Sequence, residues 1–260
     1  MIERTVGDVL LERVEDHIAV LRLNRPAALN AITAAMAETI EQCVAEIEAD
    51  PSVRVAIVTG EGRMFCAGAD LKEVAAGKGH LLERPESGFA GFVYTTRSKP
   101  WIAALQGPAY GGGAEISLAC DMIVAASHVA IGLPEVCRGL IPGAGGGFRI
   151  GRALPRAVAI EMVTTGKPID VQRAYQLGLV NRVAHEGQAL DDALELARNL
   201  AANAPLAVRE ALAIARRAVD VDDAYLRDSL AGAMKRVLAA PDSREGPQAF
   251  VEKRQPRWTT

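Results

Sequence analysis

The amino-acid sequence predicts an α/β fold. Strand-like and helix-like segments alternate through the first two thirds of the chain, several of the strands are apolar enough to be buried, and the last third is helical. HIAVLRLN, from His17, alternates well enough for a strand. RPAALNAITAAMAETIEQCVAEIEAD then breaks at Pro26 and settles into helical spacing through Ile32, Met36, Ile40, Cys43 and Ile47. After Pro51, VRVAIVTG reads as a buried strand ended by Gly60, and EGRMFCAGAD as a loop. Residues 74 to 97 hold Gly77, Gly79, Pro85, Gly88 and Gly91 among scattered charges, and the lack of any period predicts a mobile loop or lid. PWIAALQG is again strand-like, YGGG is a break, AEISLACD a short helix and MIVAAS a further strand. From about Leu190 onward Ala, Leu, Arg and Glu recur at helical spacing, with no further convincing strand. No fixed-period repeat or low-complexity block is present.

At 260 residues and half apolar, the chain has enough material for one large domain or a core with a smaller appendage. A formal net charge of −3 and a pI near 5.9 lack the basic excess that nucleic-acid binding requires. The opening MIERTVGDVLLERVEDH mixes charged and apolar positions and carries no signal-peptide stretch. Ser127 and His128 interrupt even the apolar MIVAASHVAIGL, so no membrane span is expected. Cys43, Cys66, Cys120 and Cys137 form no CxxC pair, which suggests reduced thiols in a cytoplasmic protein.

Glycine-rich breaks raise the question of nucleotide binding, and the spacing answers it. GPAYGGGAE and PGAGGGFRIG both lack G-x-G-x-x-G, and TGKP puts proline where a phosphate loop needs Ser or Thr. No serine lies in G-x-S-x-G, and His17, His80, His128 and His185 show no metal-ligand spacing, so no metal is expected. What remains is Gly111 to Gly113 with Glu115 at a helix start, where free N–H groups suit a developing oxyanion. A plain glycine turn with Glu115 favourably placed at the helix dipole would read the same way. The CAGAD loop offers a second backbone donor from Ala69. Glu135, in GLPEV, is flanked by Leu133 and Val136 and reads either as a partly buried carboxylate or as a solvated loop charge.

Taken together, six segments resemble the crotonase superfamily and, within it, the enoyl-CoA hydratase/isomerase family. They are NRPAALNA (24–31), FCAGADLKE (65–73), KPWIAALQGPAYGGGAEISLACDMIVA (99–125), LPEVCRGLIPGAGG (133–146), TGKPIDVQRAYQLGLVNRV (165–183) and EGPQAFVEKRQPRW (245–258). The resemblance implies a spiral of ββα units over residues 1–195 and a helical oligomerisation region over 196–260, forming a homotrimer or a hexamer of two stacked trimers. It implies oxyanion-hole donors on Ala69 and Gly112 and paired acid/base carboxylates on Glu115 and Glu135. Arg25, Ala28, Ala67, Asp70, Leu71, Lys72, Tyr110 and Pro134 are implied along the site for the acyl-CoA substrate. Phe250 and Lys253, in AFVEKR, are implied to reach coenzyme A held by a neighbouring subunit. No separate cofactor is expected, because coenzyme A is part of the thioester substrate.

Ala27 stands where many relatives have lysine, so one phosphate contact is missing and Lys72, Arg63 and Arg25 are candidates to replace it. The implied activity is reversible hydration of a 2-trans-enoyl-CoA. The LPEV and EGPQAFVEKRQPRW segments are also similar to the carnitinyl-CoA dehydratase branch, which uses the same chemistry on a different acyl group. A Δ3,Δ2-enoyl-CoA isomerase is a second alternative, and a CoA-binding protein that has lost catalysis a third. Two carboxylates favour water addition over isomerisation, which needs only one.

Overall fold

The computed structural model describes residues 3–259. Seven strands form the large sheet in the order β1 (Glu3–Val6), β2 (Val9–Glu15), β3 (Ile18–Leu23), β4 (Val55–Gly60), β7 (Trp101–Leu105), β9 (Met122–Ala126) and β12 (Arg182–Ala184). Between β4 and β7 lies the small ribbon β5 (Glu83–Arg84) and β6 (Gly88–Phe89). The first three strands pair antiparallel, and the run from β3 to β12 is parallel. β4 and β7 are buried along their whole length, as expected of parallel strands covered on both faces.

A second, smaller sheet consists of β8 (Ala109–Tyr110), β10 (Ala130–Gly132) and β11 (Ile169–Asp170). β8 and β10 run parallel, with Gly132 opposite Tyr110. Two further parallel bridges, Cys66 to Ala109 and Ile32 to Ala69, extend the same alignment to the preceding loops. Successive turns of the chain thus contribute one strand to the large sheet, one short segment to the small sheet and then a helix. This is the ββα spiral that the resemblance implies.

The helices are α1 (Ala34–Ala49), α2 (Leu71–Ala75), α3 (Gly112–Ala119), α4 (Gly146–Ala153), α5 (Arg156–Thr165), α6 (Val171–Gln176), α7 (Ala189–Ala201), α8 (Pro205–Arg217), α9 (Asp223–Ala239) and α10 (Asp242–Val251). Thr33 caps α1 by accepting from the Met36 N–H at 3.2 Å, and Met36, Ile40, Cys43, Val44 and Ile47 form its buried stripe. The buried face of α7 is Ala189, Ala193, Ala197 and Ala201, small side chains at i,i+4 spacing that let the helix lie close on the large sheet. The boundary expected at 195/196 therefore falls inside α7. Among the described residues no helix is long and apolar enough to cross a membrane.

The segment from 74 to 97 differs from its reading as a mobile loop. It packs through a single 3-10 turn at Gly79–Leu82, the β5–β6 ribbon, and buried Leu82, Phe89, Ala90, Phe92 and Val93. Two-residue strands are too short to leave a period in the sequence, which is why the order was not visible there.

Asn30 is fully buried, with a positive φ of 55°, and uses its whole amide. Its Nδ2 donates to the carbonyls of Glu61, Met64 and Phe65 at 2.8–3.1 Å, and its Oδ1 accepts from the Arg25 N–H at 2.8 Å. It thereby fastens the loop after β3 to the loop after β4. Asn30→Ala removes all four of these bonds and takes the Asn30 donor from the buried Phe65 carbonyl, so a loss of about 3 kcal/mol is expected, seen as a fall of roughly 6–12 °C in Tm. An unchanged melting temperature would contradict this role.

Candidate active site

The parallel pairing of β8 with β10 brings the chain emerging from each strand to the same end of the small sheet. From β8 the backbone turns at Gly111 (φ 55°) directly into α3, which puts Glu115 in the first helical turn. From β10 it passes buried Leu133 and half-buried Pro134 into a 3-10 turn, Glu135–Arg138, closed by left-handed Gly139. Cys66 pairs beside Ala109, so the loop 67–70 arrives at the same place. Gly68 has φ +96°, and a Cβ there would lie 2.9 Å from the Gly112 nitrogen, so the close approach of the two loops requires glycine.

Around this junction lies a cavity of about 870 Å³. Every sequence-predicted site residue lines it except two: Ala69, Gly112, Glu115 and Glu135 at the junction, with Arg25, Ala28, Ala67, Asp70, Leu71, Lys72, Tyr110 and Pro134 around it. Phe250 and Lys253 lie elsewhere in this chain, Phe250 being 84% exposed on α10. Arg63 is exposed and also stands apart from the cavity. A second hollow of about 720 Å³, between His17, Arg54, Arg198 and Trp258, contains none of the sequence-predicted site residues. No group of His, Cys, Asp or Glu among the described residues has an arrangement suited to a metal.

Glu115 is only 3% exposed. Its Oε1 accepts from the Gly146 N–H at 2.8 Å. Burial first, and then the neighbouring charge of Glu135, raise its carboxyl to about 7 against the lowering effect of the Gly146 hydrogen bond. Glu135 lies across from it, close enough to Gly111 that a Cβ there would sit 3.4 Å from Glu135 Oε1. Both Glu135 oxygens are shielded from solvent and bond to no protein group among the described residues, and burial raises this carboxyl too. Two buried carboxyl groups facing one space favour a state with a single proton between them, one acid and one base. The backbone N–H groups of Ala69 and Gly112 have no protein acceptor among the described residues. The Ile32 bridge uses the groups on either side of Ala69, Gly68 O and Asp70 N, and leaves Ala69 itself free.

The polar edge of the cavity is organised by Asp70. It caps α2 by accepting from the Lys72 N–H at 2.9 Å and pairs with Arg25 at 2.7 Å, which holds its carboxyl below the usual range. Arg25 also donates to the Ala31 carbonyl. Its guanidinium thus braces the two loops, and Lys72, exposed on α2 and in no salt bridge among the described residues, is the freer cation.

Sequence reasoning missed several residues. Gly146 was visible only as part of a glycine run. Phe89, whose ring a Cβ on Gly112 would collide with, lay in the stretch read as a loop. Arg149 was not singled out, yet it donates to the Ala144 and Val93 carbonyls at 2.8 and 2.5 Å and stacks over Tyr94 and Phe148. It fixes the loop that presents the Gly146 N–H, and nothing in its local sequence distinguishes it from a surface arginine.

Residues 13–260 match the family model described as "Enoyl-CoA hydratase/isomerase". The chain is 40% identical over 242 residues to a carnitinyl-CoA dehydratase from Proteus mirabilis (strain HI4320), covering 91% of this chain and 92% of that one. It superimposes on an enoyl-CoA hydratase from Mycobacterium tuberculosis H37Rv with a TM-score of 0.93 at 40% identity, over 98% of this chain and 99% of the other. A carnitinyl-CoA hydratase from Mycobacterium avium gives a TM-score of 0.77 at 41% identity, over 98% and 99% of the two chains. The chain belongs to the enoyl-CoA hydratase/isomerase family and has the crotonase-like fold.

Proposed function

We propose that the cavity binds a 2-trans-enoyl-CoA and reversibly adds water to it, giving a 3-hydroxyacyl-CoA. The observation that carries this reading is the pair Glu115 and Glu135, two buried carboxyl groups with raised pKa beside two unpaired backbone donors. The similarity to enoyl-CoA hydratases and carnitinyl-CoA dehydratases supports the same class of chemistry.

The thioester carbonyl oxygen accepts from the Ala69 and Gly112 N–H groups. Electron density drawn onto that oxygen makes Cβ electrophilic and stabilises the enolate that forms when water adds. Loss of one such donor costs on the order of 10² to 10³ in rate. Ionised Glu115 takes a proton from the water attacking Cβ, and protonated Glu135 delivers one to Cα. Water's oxygen ends on Cβ, one hydrogen ends on Cα, and the proton passes from Glu135 to Glu115 until exchange resets the pair. Coenzyme A follows the edge formed by Ala28, Ala67, Asp70, Leu71 and Lys72. Lys72 and Arg138 supply positive charge in place of the missing lysine at position 27.

Two glutamates favour hydration over double-bond isomerisation, which one carboxylate suffices to perform. Carnitinyl-CoA dehydration would use the same groups on a different acyl chain. For assembly, α9 and α10 expose Leu230, Met234, Leu238, Phe250 and Val251, an apolar surface suited to subunit contacts in a trimer or hexamer.

With purified protein and crotonyl-CoA, loss of the conjugated thioester's ultraviolet absorbance follows the reaction. Glu115→Gln is expected to lower kcat by roughly 10³-fold while retaining thioester binding, and near-normal turnover would sink the assignment. The same variant tests the electrostatics. A carboxyl whose folded pKa is raised from 4.5 to about 7 favours the folded state less and less as pH climbs through that window. Glu115→Gln is therefore expected to exceed wild-type stability by about 3 kcal/mol at pH 8, shrinking to less than half of that by pH 5.5. Urea unfolding at both pH values checks this, and a pH-independent difference would contradict it.

A further inference from the structure

α3 carries both the Gly112 N–H and Glu115, so a movement of this helix displaces a backbone donor and a carboxyl group together. Its eight residues span roughly 12 Å. At the N-terminal end Gly113 packs on the Cys66 carbonyl and the Phe89 ring stands against Gly112. At the other end the last turn has no basic side chain of its own. The Ala119 carbonyl there accepts instead from Arg97, whose Nη2 lies at 2.5 Å. Nη1 of the same guanidinium donates to the Phe92 carbonyl at 2.8 Å. A cation in this position also complements the negative end of the helix dipole.

Phe92 belongs to the turn that begins at Phe89, whose carbonyl accepts from the Phe92 and Val93 N–H groups at 3.1 and 3.3 Å. The turn therefore meets α3 twice, through the Phe89 ring at Gly112 and through Arg97 at Ala119. Its next carbonyl, that of Val93, is the one Arg149 joins to the loop presenting the Gly146 N–H to Glu115. Arg97 is itself held in place. Its guanidinium carbon lies 4.2 Å from the Phe92 ring centroid and 5.7 Å from that of Trp101. Arg216 of α8 donates to the Arg97 carbonyl and pairs with Asp121, just beyond the end of α3. Stability does not account for this seat. Burial holds the guanidinium below its ordinary range, so the charged form is kept at a cost to folding. Its Nε is shielded from solvent and has no partner among the described residues.

We infer that Arg97 is a positioning residue for the reaction: by bridging the Ala119 and Phe92 carbonyls it fixes α3, and with it the Gly112 N–H and Glu115. The inference rests on the reading of the cavity as an enoyl-CoA hydratase site.

The test compares Arg97→Met, which loses both donors, with Arg97→Lys, which keeps the charge and can serve one carbonyl. Lys99→Met is the control. The buried Lys99 ammonium donates to the Ile47 and Asp50 carbonyls at the end of α1 and bonds to no group of α3 among the described residues. Two readouts are taken on the full-length protein: hydration of crotonyl-CoA, and the infrared C=O band of bound hexanoyl-CoA carrying carbon-13 at the thioester carbonyl. In wild type that band is expected to move to lower wavenumber on binding, as two N–H donors polarise the carbonyl. In Arg97→Met kcat is expected to fall on the order of 10²-fold with KM changed less than about threefold, and the band shift to shrink by about half or more. Arg97→Lys is expected to lie between, and Lys99→Met to stay within about twofold of wild type in kcat and to keep the band shift. A kcat for Arg97→Met within about threefold of wild type overturns the inference, and so does a fall in kcat with an unmoved band. An equal loss in Lys99→Met overturns it too, since general destabilisation would then be the cause. If Arg97→Met does not fold, Arg97→Lys decides: wild-type kcat and band overturn the inference, and a joint fall in both upholds it. Wild type that neither hydrates crotonyl-CoA nor shifts the band removes the hydratase reading and this inference with it. Wild type that does both, with Arg97→Met unchanged, removes only the role of Arg97.

Discussion

The arrangement of the cavity depends on the parallel register of a few short backbone segments. Ile32 beside Ala69, Cys66 beside Ala109 and Tyr110 beside Gly132 are each only one or two residues of pairing, yet they set three loops side by side. A slip of one residue in any of these pairs would turn its side chains to the opposite face. The large sheet makes that register affordable. Its buried parallel strands β3, β4, β7 and β9 fix where each turn of the spiral begins, and the alanine face of α7 closes the sheet from behind.

Close approach at the junction excludes side chains. Gly113 packs on the Cys66 carbonyl, where a Cβ would collide, and a Cβ on Gly68 would crowd the Gly112 nitrogen. The result is a backbone-lined floor with unpaired N–H groups, beside which two carboxyl groups are held out of solvent. Such burial opposes folding, since each ionised carboxylate loses its water without gaining a full set of partners. Glu115 recovers one hydrogen bond, from Gly146, and Glu135 recovers none from protein among the described residues. A site that is costly in the empty protein and complete only with a polar guest is what a reaction involving water would require.

The sequence revealed much of the fold because the long elements carry strong periods. The strands at HIAVLRLN, VRVAIVTG, PWIAALQG and MIVAAS and the helix from Ala34 all lie where their patterns place them. The residues now lining the cavity were legible chiefly through the family resemblance. From local physics alone Glu115 was equally a helix-start charge and Glu135 a loop charge, because what brings them together is pairing between strands of two or three residues. The same brevity hid the β5–β6 ribbon and, with it, Phe89. Arg149 and Asn30 were illegible for another reason. Their roles lie in bonds to carbonyls distant in sequence, and an isolated arginine or asparagine gives no sign of those partners.

The proton shared between Glu115 and Glu135 is most directly seen by infrared difference spectroscopy of the substrate-free protein titrated in steps of pH, with wild type and Glu115→Gln compared. A protonated-carboxyl C=O band that persists at pH 6, disappears as pH passes through about 7, and is absent or displaced in the variant is the expected result. Complete ionisation of every carboxyl group by pH 6 in wild type would contradict it.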